Sequence, residues 1–441
     1  MLADFNIEPS VITLESAVAP LSRAPRTPEE AGLPFLFLVE LTAKVLSIHG
    51  QMRLIDLSGH LKLATGVIDP LITFMRTEKL CEMIRRGGSG TDADLAYCLT
   101  DLGRAKASEF SSRCAYAGPA PVTLAAYSSQ VTSQSVAQMS ITRENISKVF
   151  SNIVVSHIVL EQVGAAMNSG RAMFIHGPAG SGKTYLAERL AGLLKGNISV
   201  PHAILVDGEV VQVYDAMVHK MADESSDLPS PFDKRMPFDH RWVRVKRPAI
   251  VTGGELTLET LDLQFDHNTR YYQAPPHLKA NNGVFVIDDF GRQRCSAIDL
   301  MNRWIGPMDR QLDYLSLHTG HKFQVPFDVI VVFSSNQPPE QMGDSAFLRR
   351  LGYKIHIGSL TEPQYEHIFR QVCEQFSIPY SGEAFRYLLD ELHYKEMRPL
   401  LACYPRDVLA QVRDQAKYLG KAPHLDTRVL DWAWNNYFVG A

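Results

Sequence analysis

The chain has 441 residues, 45% hydrophobic and 21% charged, with a net charge of −4 and a pI near 6.4. That length suits two to four domains with sizeable cores, and the mildly acidic balance excludes a globally cationic nucleic-acid or membrane binder, so any such contact must be local. No stretch approaches the roughly 18–20 apolar residues of a membrane span, and Met1 to Pro20 lacks a basic segment followed by an apolar one, so a cytoplasmic protein is expected.

In chain order, residues 1–33 carry Pro9, Pro20, Pro25 and Pro28 and are expected to form an extended arm. Within 34–118, Leu38, Leu41, Val45 and Ile48 recur at helical spacing and stop at Gly50. A second short helix is expected from about Arg53 to Leu63, and a third from Asp69-Pro70, an N-cap followed by proline at the first helical position. The period then becomes two. Leu80 to Arg85 and Leu95 to Leu99 predict strands joined by the glycine-rich Gly87 to Asp92, and Thr100 opens another helix. Three helices, a hairpin and a closing helix spell a winged-helix domain. A major-groove reader needs a basic third helix, whereas Gly66 to Leu71 is apolar and acidic, and residues 35–115 hold ten Lys/Arg against nine Asp/Glu. Arg85 and Arg86 flank the wing as phosphate contacts, but protein docking is favoured over DNA.

Residues 119–140, rich in Ala, Ser, Gln and Thr, break both periodicities and are expected to be a linker. A helix from Val155 to Met167 follows; Ile153-Val154-Val155 ahead of it would cover an adenine ring or simply join the core. Then comes the strongest signal. Ala172 to His176 predicts a buried strand, Tyr185 to Leu194 a helix, and between them Gly177, Pro178, Ala179, Gly180, Ser181, Gly182, Lys183 and Thr184 fit the phosphate-binding pattern G-x-x-x-x-G-K-[ST]. Absent side chains let successive backbone N–H groups converge on phosphate oxygens, the helix N-terminus adds partial positive charge, Lys183 a full one, and Thr184 is placed to hold Mg²⁺. The four apolar residues Val284 to Ile287 end in Asp288 and Asp289, a buried parallel strand delivering carboxylates to its C-terminal edge. Asp288 would hold Mg²⁺ and Asp289 would polarise an attacking water. A third strand, Val329 to Phe333, leads through Ser334 and Ser335 to Asn336, an amide able to hold the same water or a γ-phosphate.

With these motifs the region 141–441 resembles the AAA+ ATPases, ring-forming P-loop NTPases. The resemblance implies an α/β fold, a parallel sheet flanked by helices over 141–358, and a C-terminal helical lid over 359–441. It makes Gly177 to Thr184 the Walker A loop, Asp288 and Asp289 the Walker B acids and Asn336 sensor 1, with ATP and Mg²⁺ as ligands. It also implies an arginine finger acting on the neighbouring subunit, either Arg349 or Arg350, and a sensor 2 residue, Arg406, opening a lid helix. Lid helices are expected near Pro363 to Gln375, Gly382 to Leu392, Pro405 to Leu419 and Thr427 to Tyr437. The stretch Ala274 to Gly283, and a hairpin from Tyr314 to Val325, are similar to features of magnesium-chelatase-like, MCM-like and MoxR-like members. One departure is Asp289, where the family usually has Glu. The resemblance implies a homo-oligomer, a hexameric ring, that remodels or regulates a partner protein; the alternatives are a DNA-binding ATPase or transcriptional regulator, and a nucleotide-gated switch with little turnover.

Overall fold

The computed structural model describes residues 23–85, 95–222, 238–342 and 345–438. Residues 1–22 of the arm, the Gly87 to Asp92 turn, Arg86 and the side chain of Arg85, and most of the polar stretch from Ser225 to His240 lie outside the described residues. The chain divides into two compact units, Met1–Gln134 with Lys195–Arg247 and His267–Tyr271, and Ser135–Leu194 with Pro248–Asp266 and Tyr272–Ala441. This corrects the expected partition: part of the segment between the phosphate loop and the paired acids belongs with the N-terminal region.

In the first unit the helices Phe35–His49, Leu54–Leu61 and Thr65–Thr77 bury Leu38, Leu41, Leu57, Val67, Ile68 and Leu71 in one core. The strand Leu95–Leu99 pairs antiparallel with Cys81–Arg85 and, on its other side, with Gln51–Arg53, a short strand absent from the sequence reading. Thr100 caps the closing helix Asp101–Arg113 by accepting from the Gly103 N–H at 3.0 Å. The third helix starts four residues before the expected Asp69, leaving Pro70 inside it. Burying Val67 and Ile68, both 0% exposed, at about 1.5–3 kcal/mol each offsets the roughly 3 kcal/mol that an interior proline costs.

The expected linker is structured: Val122–Thr123 is a strand and Leu124–Ser133 a helix capped by Thr123. Its inward face is Tyr127, Gln130 and Val131. The glutamines hid the amphipathic pattern, yet they are paired: Gln130 Nε2 donates to Gln134 Oε1 at 3.1 Å, and Gln134 exchanges two 3.0 Å bonds with the backbone of Ser199. Val122–Thr123 runs parallel to Ala203–Val206, which pairs with Glu209–Gln212, and Asn197–Pro201 pairs with Trp242–Lys246. Arg241 ties these pieces together. Its guanidinium holds the Asp239 carboxylate and donates to the carbonyls of Ala31 and Pro121, each at 3.1 Å.

The second unit is built on five parallel strands ordered Ala249–Thr252, Gly283–Ile287, Val329–Ser335, Met173–His176, Tyr353–His356. Every residue of Gly283–Ile287 and Val329–Ser335 is buried, as strands covered on both faces require. The apolar sides of His157–Ser169 and Lys183–Arg189 pack on them. The stretch Arg241 to Glu255 splits between Trp242–Lys246 in the first unit and the sheet-edge strand Ala249–Thr252 in the second. The hairpin is present as Leu312–Ser316 and Lys322–Pro326, with Leu315 opposite Phe323. The C-terminal region is helical, as expected: Glu362–Phe376, Gly382–Tyr387 continuing as a wider π turn over Leu388–Tyr394, Tyr404–Tyr418 and Thr427–Tyr437 enclose Tyr365, Phe369, Leu409 and Trp434. Among the described residues no helix is long and apolar enough to cross a membrane.

Candidate functional site

Parallel register brings three strand ends to one edge. Ile287 lies opposite Phe333 and Ser335 opposite His176, so the chain leaves the sheet at Asp288, at Asn336 and at Gly177 as neighbours. This is the C-terminal edge of the sheet, where the interior Met173–His176 strand, first in sequence, lies between the fourth and the fifth; open α/β sheets bind ligands at such a switch point.

Gly177 to Gly182 turn from that strand into the helix Lys183–Arg189. The turn admits no side chains at its tightest points: a Cβ on Gly177 would sit 2.0 Å from the carbonyl oxygen of Ile357, and one on Gly180, whose φ is +82°, would sit 2.3 Å from Cys403 Sγ. The Ser181 hydroxyl is buried in this loop without a hydrogen-bond partner, a donor available to a phosphate oxygen. Lys183 is 6% exposed, and its ammonium donates to Gly177 O at 3.1 Å, Pro178 O at 2.9 Å and Asn336 Oδ1 at 2.8 Å. Burial lowers its pKa, while the carboxylates of Asp288 and Asp289 oppose that shift. Thr184 Oγ1 donates to Asp288 Oδ2 at 2.8 Å, so the hydroxyl and the carboxylate expected to share a divalent cation are already in contact. Hard oxygen donors of this kind, completed by phosphate oxygens and water, suit Mg²⁺.

Asp289 is exposed and takes a left-handed backbone conformation, φ +46°. Its carboxylate accepts from Asn336 Nδ2 at 3.2 Å. Asn336 therefore bridges Lys183, through its oxygen, and Asp289, through its nitrogen. The turn is pinned from both sides. The Phe290 N–H donates to Ser334 O at 2.7 Å and Ser335 Oγ to Phe290 O at 3.1 Å, while the Gln293 carboxamide donates to Asp288 O at 2.9 Å and accepts from the Gly291 N–H at 2.8 Å. Sequence reasoning missed Ser335 and Gln293; a glutamine four residues past two acids carries no signal until the turn folds back on itself.

Arg406 lies in the first turn of Tyr404–Tyr418, its side chain exposed, one turn beyond Cys403, whose N–H donates to Gly180 O at 3.1 Å. Arg349 and Arg350 are not brought to Lys183. They end the helix Ser345–Arg350 and line a cleft of about 410 Å³ that includes Arg171, Ala172 and Val329, at the N-terminal ends of the strands. Arg350 pairs with Asp309 at 2.7 Å. Ile153 and Val155, weighed as an adenine cover, are half-buried against the sheet's core. Tyr272 is buried and its hydroxyl bonds to His318, which stacks on Phe265 at 4.4 Å.

This arrangement can cradle a polyphosphate on backbone N–H groups, neutralise it with Lys183 and hold a divalent cation between Thr184 and Asp288, with the Asp289 carboxylate and the Asn336 amide paired beside them. Residues 361–436 match a family described as a domain of unknown function (DUF8689). No curated protein matches the sequence. Among solved structures the chain is similar to RuvB of Thermotoga maritima, titled a Holliday junction branch migration motor, at 13% identity and a TM-score of 0.35, covering 67% of this chain and 70% of that one. It is similar also to NtrX from Brucella abortus at 12% identity and a TM-score of 0.40, covering 65% of this chain and 57% of that one. A complex of NtrX with ATP gives 13% identity, a TM-score of 0.38 and coverages of 67% and 57%.

Proposed function

We propose that this chain is a Mg²⁺-dependent ATPase of the AAA+ kind that assembles as a ring and remodels or regulates a partner protein. The observation that carries the reading is the contact set Lys183–Asn336–Asp289 beside Thr184–Asp288, at the end of a sheet with strands ordered 5-1-4-3-2. Lys183 holds the β- and γ-phosphates; Thr184 and Asp288 would hold Mg²⁺, which when bound would supply neutralising charge to the transferring phosphoryl group. Asp289 accepts a hydrogen bond from the attacking water while Asn336 fixes that carboxylate. Arg406 reaches the phosphates from the lid side.

Arg349 or Arg350 acts on a neighbour. Both lie at the opposite end of the strands from Lys183, which supports a head-to-tail association in which one subunit's N-terminal strand ends meet the next subunit's phosphate loop; a heterologous contact of that kind closes into rings. Six subunits, and the MoxR-like subtype, follow from the resemblance, to which the hairpin directly before the Val329–Ser335 strand lends support. The helices and three-stranded sheet over residues 35–113 support a winged helix as the partner-docking element.

Steady-state ATP hydrolysis tests the core of the reading: Lys183→Ala is expected to abolish nucleotide binding, and Asp289→Asn to bind ATP but turn it over only at a low residual rate that is still measurable. Light scattering of Asp289→Asn with and without MgATP tests the ring, with a shift to about six subunits expected and persistence as a monomer or dimer refuting it. ATP binding by the wild type without turnover would replace the enzyme by a nucleotide-gated switch, the reading that the short Asp289 side chain favours.

A further inference from the structure

We infer that Gln293 is a positioning residue for the water-polarising acid: its carboxamide sets the left-handed turn that aims Asp289. The inference rests on the ATPase reading above and adds to it a group outside the phosphate loop, the acid pair and Asn336. Two backbone segments, the turn over residues 288–291 and Gly253, meet at this one side chain. Nε2 donates to the carbonyl of Asp288 at 2.9 Å, with longer contacts to Asp289 O at 3.3 Å and Gly253 O at 3.4 Å, and Oε1 accepts from the Gly291 N–H at 2.8 Å. Gly253 follows the edge strand Ala249–Thr252, and Asp288 follows its neighbour Gly283–Ile287. Gln293 thus ties the ends of two adjacent strands to the turn that carries the acid.

The geometry calls for such a tie. A non-glycine residue at φ +46° persists only where its surroundings over-determine it, and Asp289 is followed by Phe290, whose backbone is already held to Ser334 and Ser335. The carboxylate of Asp289 is one methylene shorter than the glutamate that the AAA+ resemblance leads one to expect, so its reach depends more on the backbone that presents it. In the left-handed conformation the carboxylate meets Asn336 Nδ2 at 3.2 Å. With Gln293 removed, the carbonyl of Asp288 loses its 2.9 Å donor and that of Asp289 keeps the Arg292 N–H at 2.9 Å; the turn, held on one side less, relaxes towards ordinary φ, and the carboxylate swings away from Asn336.

Gln293 touches neither the phosphate loop nor Thr184, and its contact with Asp288 is to the carbonyl while the carboxylate stays held by Thr184, so its loss is expected mainly in turnover rather than in binding. The test uses the full chain and measures kcat, KM and MgADP affinity for Gln293→Ala and Gln293→Glu. The glutamate is isosteric and still accepts from Gly291, but it has no N–H for the three carbonyls. Both variants are expected to lower kcat roughly 10- to 100-fold, the scale of a misplacement near 1 Å, with MgADP affinity and thermal midpoint close to wild type. In an Asp289→Asn background, Gln293→Ala is expected to add no further loss, since the two then fail at the same step. Wild-type kcat in Gln293→Ala overturns the inference while leaving the ATPase reading intact. So does an additive loss in the double variant, or a kcat retained by Gln293→Glu and lost only in Gln293→Ala, which would mark side-chain volume as the cause. Absence of turnover in the wild type removes both.

Discussion

Under the proposed mechanism, removing the Asn336 side chain should separate water positioning from nucleotide binding. In Asn336→Ala two contacts go, the 2.8 Å bond from Lys183 Nζ and the 3.2 Å bond to Asp289 Oδ1. Lys183 keeps the carbonyls of Gly177 and Pro178 as partners and gains phosphate oxygens when nucleotide binds, so affinity should change little. Asp289 has no such replacement. A hydrogen bond to a charged group is worth about 1.5–3 kcal/mol, which corresponds to about 10- to 150-fold in rate. Asp289 is exposed, and solvent screening points to the lower end, about tenfold in kcat. Saturating ATP in a coupled hydrolysis assay gives kcat, and a fluorescent nucleotide gives affinity. A cycle with Asp289→Asn should show the two losses to be far from additive. An Asn336→Ala enzyme with wild-type kcat, or one whose defect is confined to affinity, would refute the bridge as the positioning device.

Two further predictions concern the scaffold. Arg241→Met leaves Asp239, 2% exposed, without its counter-charge and strips the Ala31 and Pro121 carbonyls of their donor; the expected loss is about 3–5 kcal/mol, measured by urea denaturation, with Asp239→Leu added to Arg241→Met recovering much of it, and a change under about 1 kcal/mol counting against the network. His393 is 0% exposed, and its pKa is lowered from 6.5 to about 4, chiefly by burial. The unfolded chain then binds a proton that the folded chain refuses, so stability is full above pH 6.5 and falls by about 3 kcal/mol as pH drops to 4. His393→Gln, which keeps a partner for the Tyr365 hydroxyl, should flatten that slope in thermal melts of the full chain between pH 6.5 and 4; an unchanged slope would exclude His393 as its source.

The chemistry-bearing residues were legible because they obey local rules. Glycine spacing, a lysine at a helix start, and apolar runs ending in acids or an amide each encode a strand end or a loop in a few consecutive residues, and Lys183, Thr184, Asp288, Asp289 and Asn336 do gather at one sheet edge. The hairpin and the helical C-terminal region were legible for the same reason. Where burial is polar, the pattern failed: Gln130 and Gln134 face inward because they satisfy each other and Ser199, so a real helix looked like a linker. Where burial outweighed local preference, Val67 and Ile68 drew Pro70 into a helix interior. The sequence by itself determined which residues form the glycine-rich loop, the paired acids and the amide at the strand ends, since those patterns are local and chemical. Only the tertiary structure decided that Gln293 and Ser335 hold the acid's turn, that Arg349 and Arg350 stand at the far end of the strands, and that residues 195–247 fold with the N-terminal region. Each of these depends on contacts between segments distant in sequence or on a turn's three-dimensional path, which no local pattern carries.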